Sequence, residues 1–153
     1  MTTVRDSDRA LLSTLQEDGR ISNQDLSAAA AMSTSACWRR MKALEEEGVI
    51  ERYAAILNAD ACGLTFHAIV HITLSRHRAE FVEAFLNAIV ERSEVMDCFA
   101  TTGDADYFLR VCCADLDAYN AFLEHFLFKL NGVSNIKTHL VLRRIKQSTR
   151  LPL

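Results

Sequence analysis

Ser35, Trp38, Arg39 and Lys42 recur at i, i+3, i+4 and i+7, the spacing that gathers side chains on one face of a helix. A hydroxyl, an indole, a guanidinium and an ammonium on one stripe combine hydrogen-bond donors with apolar surface. That is the composition of a helix laid into a DNA major groove. The opposite stripe, Cys37, Met41 and Leu44, is apolar and faces a core. Arg40, with Ser22 and Asn23 at the start of the preceding helix pattern, supplies candidate phosphate contacts. Each residue also has a plainer reading. Trp38 can seal a small core as readily as it can pack against a thymine methyl, and Arg39 and Lys42 can be ordinary surface charge. The inference rests on the arrangement.

A second chemistry-bearing stretch is Thr101-Thr102-Gly103-Asp104-Ala105-Asp106-Tyr107. Glycine permits close backbone approach, free amides and threonine hydroxyls can hold a carboxylate, and an aspartate accepts from an ammonium group. The set suits a zwitterion such as an amino acid. By spacing alone it reads more readily as an ordinary Gly-Asp hairpin with Tyr107 in the core.

Catalytic and metal-binding patterns are missing. His67 and His71 sit at i, i+4, but on a strand that places them roughly 13 Å apart, too far for one ion. Cys112 and Cys113 point to opposite faces, and neither His125 nor His139 has an acidic or thiol partner at a recognisable spacing. The G-x-S-x-G, P-loop and G-x-G-x-x-G patterns do not occur. No enzyme, cofactor or metal centre is expected.

The 153 residues, half of them hydrophobic, exclude a disordered chain and suffice for one ordinary domain or two small ones. No apolar run approaches the roughly 20 residues of a membrane span, and the stretch from Met1 to Arg9 is polar, so a cytoplasmic protein is expected. Five cysteines without a C-x-x-C pair read as reduced thiols. The net charge of −3, with seven Lys/Arg against nine Asp/Glu in residues 1–53, argues mildly against nucleic acid. Affinity for phosphate follows where the positive groups sit, however, and Arg39, Arg40 and Lys42 cluster, as do Arg143, Arg144, Lys146 and Arg150.

The pattern predicts a helix from a cap at Asp6 or Ser7 to Glu17, a second from a Ser22–Asp25 capping box to Ala31, and a third from a Ser33 cap to Glu47, closed by Gly48. Three short helices bury little alone, so Val49-Ile50 and Tyr53 to Leu57 are expected to add a two-stranded wing. After Asn58–Gly63 the period changes. Residues 65–75 alternate as a half-buried strand, a helical stripe runs from Phe81 to Val90, and strands follow at 95–102 and 106–113. A helix carrying Leu116 to Leu130 and a strand at 133–142 complete a βαββαβ ferredoxin-like order. The expected class is α+β: a winged helix-turn-helix domain over 1–52, a linker strand and hinge over 53–64, a ferredoxin-like domain over 65–142 and a C-terminal tail over 143–153. Both helices of that second fold cover one sheet face. The other face suits a second copy of the chain.

The sequence resembles the Lrp/AsnC family of transcription regulators along nearly its whole length. The resemblance is carried by Glu17-Asp18-Gly19-Arg20-Ile21-Ser22-Asn23, Cys37-Trp38-Arg39-Arg40 running to Leu44-Glu45-Glu46-Glu47-Gly48-Val49-Ile50, Gly103-Asp104-Ala105-Asp106-Tyr107, and Ile145-Lys146-Gln147-Ser148. It implies a recognition helix from Thr34 to Glu47 that reads double-stranded DNA. It also implies a ferredoxin-like (RAM/ACT-like) domain that dimerises, commonly forms octamers and binds a small effector, usually an amino acid, between dimers. Carried onto this chain, the effector contacts are Ala100, Thr102, Gly103, Asp104, Asp106, Leu116, His139, Leu140 and Val141. Ser33-Thr34 stands where many members have Ser-Pro, and Asn131-Gly132 replaces a common Pro-Gly. His139 stands where the leucine-responsive member has a tyrosine, which leaves the effector's identity open. The rival readings are an amino-acid sensor acting through protein partners and a small enzyme on the same fold.

Overall fold

Apolar residues at helical spacing build the first of two units. The computed structural model describes residues 4–75 and 79–153. In it, α1 (Asp6–Glu17), α2 (Asn23–Ala29) and α3 (Thr34–Glu46) bury Leu11, Leu12, Leu26, Cys37 and Leu44 in one cluster, with Leu15, Ile21, Met41, Val49 and Ile50 packed around it. The unit runs to Ile56 and takes in Lys146–Leu153, part of the stretch the sequence reading sets apart as a tail.

The N-cap of α1 is Arg5 rather than Asp6 or Ser7, with the Arg5 amide donating to Asp8 Oδ2 at 3.3 Å. Ser22 caps α2 by accepting from the Asp25 amide at 3.1 Å, and its hydroxyl donates to the Asp25 carboxylate at 2.6 Å. Helix α2 ends at Ala29, earlier than expected, because the joint to α3 turns on Ala31 at φ +52°. A left-handed conformation costs an L-residue roughly 1–2 kcal/mol. Ala31→Gly is therefore expected to stabilise this unit by about 0.5–1 kcal/mol in a chemical denaturation, since the exposed methyl forfeits no packing.

The expected wing strands do not form within this chain. The Val49 and Ile50 amides both donate to the Leu44 carbonyl, at 2.9 and 3.0 Å, and Gly48 adopts φ +72°, so these residues close α3 instead of opening a ladder. Tyr53, Ile56 and Leu57 continue exposed and outside regular structure. A single strand leaves its backbone unpaired, and a lone pair of short strands is marginal in water.

In the second unit, Leu57–Ile145, the strands and helices follow in the order β1 (Phe66–Leu74), α4 (Ala79–Val90), β2 (Val95–Ala100), β3 (Tyr107–Cys113), α5 (Leu116–His125) and β4 (Val133–Leu140). This is the predicted βαββαβ order, in an antiparallel sheet of strand order β2-β3-β1-β4. Helix α5 stops earlier than predicted: Phe126 breaks it at φ −128°, ψ −71°, and a single 3₁₀ turn follows over Leu127–Lys129. Ala68, Val70, Ile72 and Leu74 of β1 join Phe85, Ile89, Leu109, Val111, Tyr119 and Phe122 in the core. By the period of two, His67, Ile69, His71 and Thr73 line the other face beside Phe108 and Arg110 of β3. That face is open. Phe99 is exposed, and a shallow trough of about 330 Å³ runs between Ile69, Phe99, Phe108 and Arg110.

Candidate functional site

Helix α3 separates its two stripes as its spacing predicts. Cys37 and Leu44 are fully buried, while Ser35, Trp38, Arg39 and Lys42 are exposed. Trp38 is 55% exposed, so its indole does not seal the core. Ser33 caps the helix by accepting from the Ala36 amide at 3.3 Å. Asn23 Nδ2 donates to the Thr34 carbonyl at 3.1 Å, tying the first turn of α2 to that of α3 and fixing the angle of the joint. Lys42 Nζ lies 2.9 Å from Glu45 Oε2, and the Tyr53 hydroxyl donates to Glu45 Oε1 at 3.2 Å. The Lys42 hydrogen bond holds the Glu45 carboxyl below its usual range. An exposed ion pair of this kind opens at little cost, so Lys42 stays available to a polyanion.

Arg40, expected as a phosphate contact, is engaged within the unit. Its Nε and Nη2 donate to Asp8 Oδ1 and Oδ2, both at 2.8 Å, and Nη1 donates to Glu47 Oε1 at 3.2 Å. Asp8 is fully buried, and the Arg40 side chain is 15% exposed. The Arg40 hydrogen bonds hold the Asp8 carboxyl below its usual range against the opposing effect of burial. Asp8 does the converse to Arg40, raising its pKa. The fork-on-carboxylate geometry pins α3 to α1.

The Gly103-Asp104 turn projects from the hairpin between β2 and β3. Gly103 has φ +113°, where an L-residue would be strained. Ala100, Thr102, Gly103 and Asp104 are exposed on it. Asp106 is a brace: its Oδ2 accepts the Leu74 amide at 2.7 Å and its own amide donates to the Ile72 carbonyl at 2.9 Å. Thr101 closes the turn, its amide donating to the Asp106 carbonyl at 3.0 Å and its hydroxyl to the Ala105 carbonyl at 3.1 Å. The remaining residues of the set lie elsewhere. Leu140 pairs with Ala68, His139 with Ile69, and the Val141 amide donates to the His67 carbonyl at 2.9 Å, while Leu116 follows the end of β3 that pairs with Phe66. The turn abuts Ile72–Leu74, so the two groups flank opposite ends of β1, roughly 15 Å apart by strand rise. One copy of the chain does not bring them together.

On the open face, the His71 ring lies 4.0 Å from that of Phe108 and 4.5 Å from that of His139, centroid to centroid. Burial, with help from His139 and Lys137, pushes the His71 pKa down, which favours the neutral imidazole. Burial raises the thiols of Cys37, Cys98, Cys112 and Cys113, the last to about 11, which suppresses thiolate chemistry there. Among the described residues no group of three or more His, Cys, Asp or Glu is placed to hold a metal ion, and no helix is long and apolar enough to cross a membrane.

Comparison with known proteins adds to this geometry. The family model described as the Lrp/AsnC ligand binding domain matches residues 67–151, and a winged helix-turn-helix DNA-binding model matches residues 4–51. The leucine-responsive regulatory proteins of Klebsiella pneumoniae and Escherichia coli (strain K12) are each 38% identical over 144 residues, 94% of this chain and 88% of theirs. A transcriptional regulator from Neisseria meningitidis, solved as an L-Met complex, matches with a TM-score of 0.93 and 35% identity over 98% of this chain and 97% of its own. An AsnC family transcriptional regulator from Agrobacterium tumefaciens gives a TM-score of 0.93 and 33% identity, covering 97% of each chain.

Proposed function

The chain belongs to the Lrp/AsnC family of DNA-binding transcriptional regulators, which are not enzymes, and from that premise we propose how it reads DNA and what controls it. Ser35, Trp38, Arg39 and Lys42 enter the major groove from α3, with Thr34 at its first turn and Ser22 and Asn23 near the phosphates. Two copies bind as a homodimer through the open sheet faces, which matches two-fold DNA sites, and dimers assemble further, to an octamer in the fullest form. The protein acts in the cytoplasm.

The effector is a free amino acid bound between copies. What carries this reading is the separation described above: the Gly103-Asp104 turn and the Leu116/His139–Val141 group flank opposite ends of β1, so only a neighbouring copy can set one against the other. Thr102, the Gly103 and Asp104 backbone and the Asp104 carboxylate supply the polar half, Leu116, Leu140 and Val141 the apolar half, and Asp106 holds the turn in place. Ligand that binds one assembly better than another shifts the population toward it and so alters the spacing of recognition helices along DNA. A sensor whose helix-turn-helix bound protein instead of DNA would show no salt-dependent affinity for DNA.

The test is fluorescence anisotropy of the purified chain on a labelled fragment from upstream of its own gene, titrated with salt and with each amino acid. L-methionine comes first because the Neisseria meningitidis relative was solved with it. Tight binding, falling steeply with salt and altered by one amino acid, is the expected result. Arg39→Ala should weaken binding about tenfold and reduce the salt slope by about one while leaving the dimer intact. Unchanged affinity at moderate salt would remove Arg39 from the DNA face. Binding no tighter than to random DNA, indifferent to every amino acid, would sink the effector-controlled reading.

A further inference from the structure

The segment Lys146–Leu153 folds with the first unit, although the chain reaches it directly from β4 of the second. Its anchor is Gln16 on α1. The carboxamide Nε2 donates to the Leu151 carbonyl at 3.3 Å, and Oε1 accepts the Leu151 amide at 2.5 Å. One side chain thus matches both polar groups of one residue's backbone, as a neighbouring strand would. Beside it, Arg150 forms an ion pair with Glu17. The Arg150 amide donates to Ser148 Oγ at 3.1 Å and the Leu153 amide to the Leu151 carbonyl at 3.0 Å, which gives the segment a fixed local turn.

This attachment is specific in register and shallow in burial. Leu151 is 64% exposed, and the Arg150 and Glu17 side chains are 49% and 61% exposed. Such contacts open and close without unfolding the helix that bears them. The chain passes between the units twice, after Ile56 and after Ile145. With the segment attached, both passages restrain the DNA-binding unit; with it released, only the first does. Residues 141–145 alone separate the attached segment from the end of β4.

We propose that Lys146–Leu153 is a releasable strap, with Gln16 as its clasp, that limits the motion of the DNA-binding unit and ties that unit to the end of β4. Strain or slack introduced at His139–Val141 passes along residues 141–145 to the clasp, so occupancy there sets how freely the recognition helices reach a pair of DNA half-sites. This regulatory sense rests on the effector reading given above; the clasp itself does not.

Trp38 is the single tryptophan of the chain and lies in α3, so its emission reports on the DNA-binding unit. Time-resolved anisotropy of the full chain, without DNA or amino acid, should show the slowest correlation time falling by about twofold in Gln16→Ala/Arg150→Ala, as the unit gains independent motion. Tryptic cleavage after Lys146 should accelerate about tenfold, because cleavage tracks the population of the open segment. Gln16→Glu, which keeps the acceptor and loses the donor, should fall between. A lowered melting temperature with an unchanged slow decay would make the segment plain packing and overturn the strap, as would unchanged decay and cleavage together. Because neither DNA nor ligand enters this experiment, failure of the effector reading appears only in the DNA titration.

Discussion

Arg40→Met should destabilise the DNA-binding unit by about 3–5 kcal/mol, the cost of leaving a buried carboxylate without its partner. Asp8 is fully buried, and its remaining donor among the described residues is the Arg5 amide at 3.3 Å, too little to replace two guanidinium hydrogen bonds at 2.8 Å. Urea unfolding followed by Trp38 emission reads this unit directly. The pH dependence separates the ion pair from simple packing. In the parent chain the folded Asp8 carboxyl lies below its usual value, so its contribution is present above the carboxylate range and is lost as pH falls through the folded value. In the variant, burial is opposed only by the weaker Arg5 contacts and raises that value, so protonation relieves the defect. The gap between the two proteins should therefore narrow as pH falls from 7 toward 4. Asp8→Leu/Arg40→Met, which removes both charges, should recover most of the loss. A single-variant cost under about 1 kcal/mol, or a gap indifferent to pH, would show that the pair carries little.

That pair was legible in the spacing. Arg40 lies three residues after Cys37 and four before Leu44, within the apolar stripe of α3, and Asp8 stands three and four residues before Leu11 and Leu12 on the stripe of α1. Two opposite charges on facing core stripes are a buried-pair signal, whereas the run Arg39-Arg40 by itself suggests only a basic cluster. Alternation along β1 and the helical stripes of α4 and α5 identified the ferredoxin-like unit because one-sided burial imposes its period on the sequence. The wing strands were not predictable in this way. Val49 and Ile50 are good strand formers, but whether they pair or close α3 is decided by the Gly48 turn and by whether a second edge is at hand. The effector residues show a further boundary. Motif order assembles Gly103-Asp104 and His139–Val141 into one list, and only the register of β3 and β4 on β1 reveals that they sit at opposite strand ends. Asp106, suited by type to an ammonium group, also braces the turn because β1 ends where its carboxylate can accept the Leu74 amide.

Trp38→Ala should cost about tenfold or more in DNA affinity while leaving the unit's stability within roughly 0.5 kcal/mol. The two halves follow from one observation. A side chain 55% exposed contributes little to the core, so its removal opens no sealed cavity. A broad apolar ring held outward between Ser35 and Lys42 on the helix surface has burial to gain only from a partner, and a groove wall with its thymine methyls and sugar edges supplies it. Because Trp38 carries no charge, the salt slope should stay that of the parent chain, in contrast to Arg39→Ala, where the slope itself should fall. Phenylalanine at the same position should restore part of the affinity through its apolar surface. Equal affinity for the parent and alanine chains, at equal stability, would move the groove-facing surface off this stripe of α3. A large loss of stability would instead make Trp38 a packing residue despite its exposure. The contrast between an uncharged and a charged member of the same stripe distinguishes a helix that lies in the groove from one that merely rests on the phosphates.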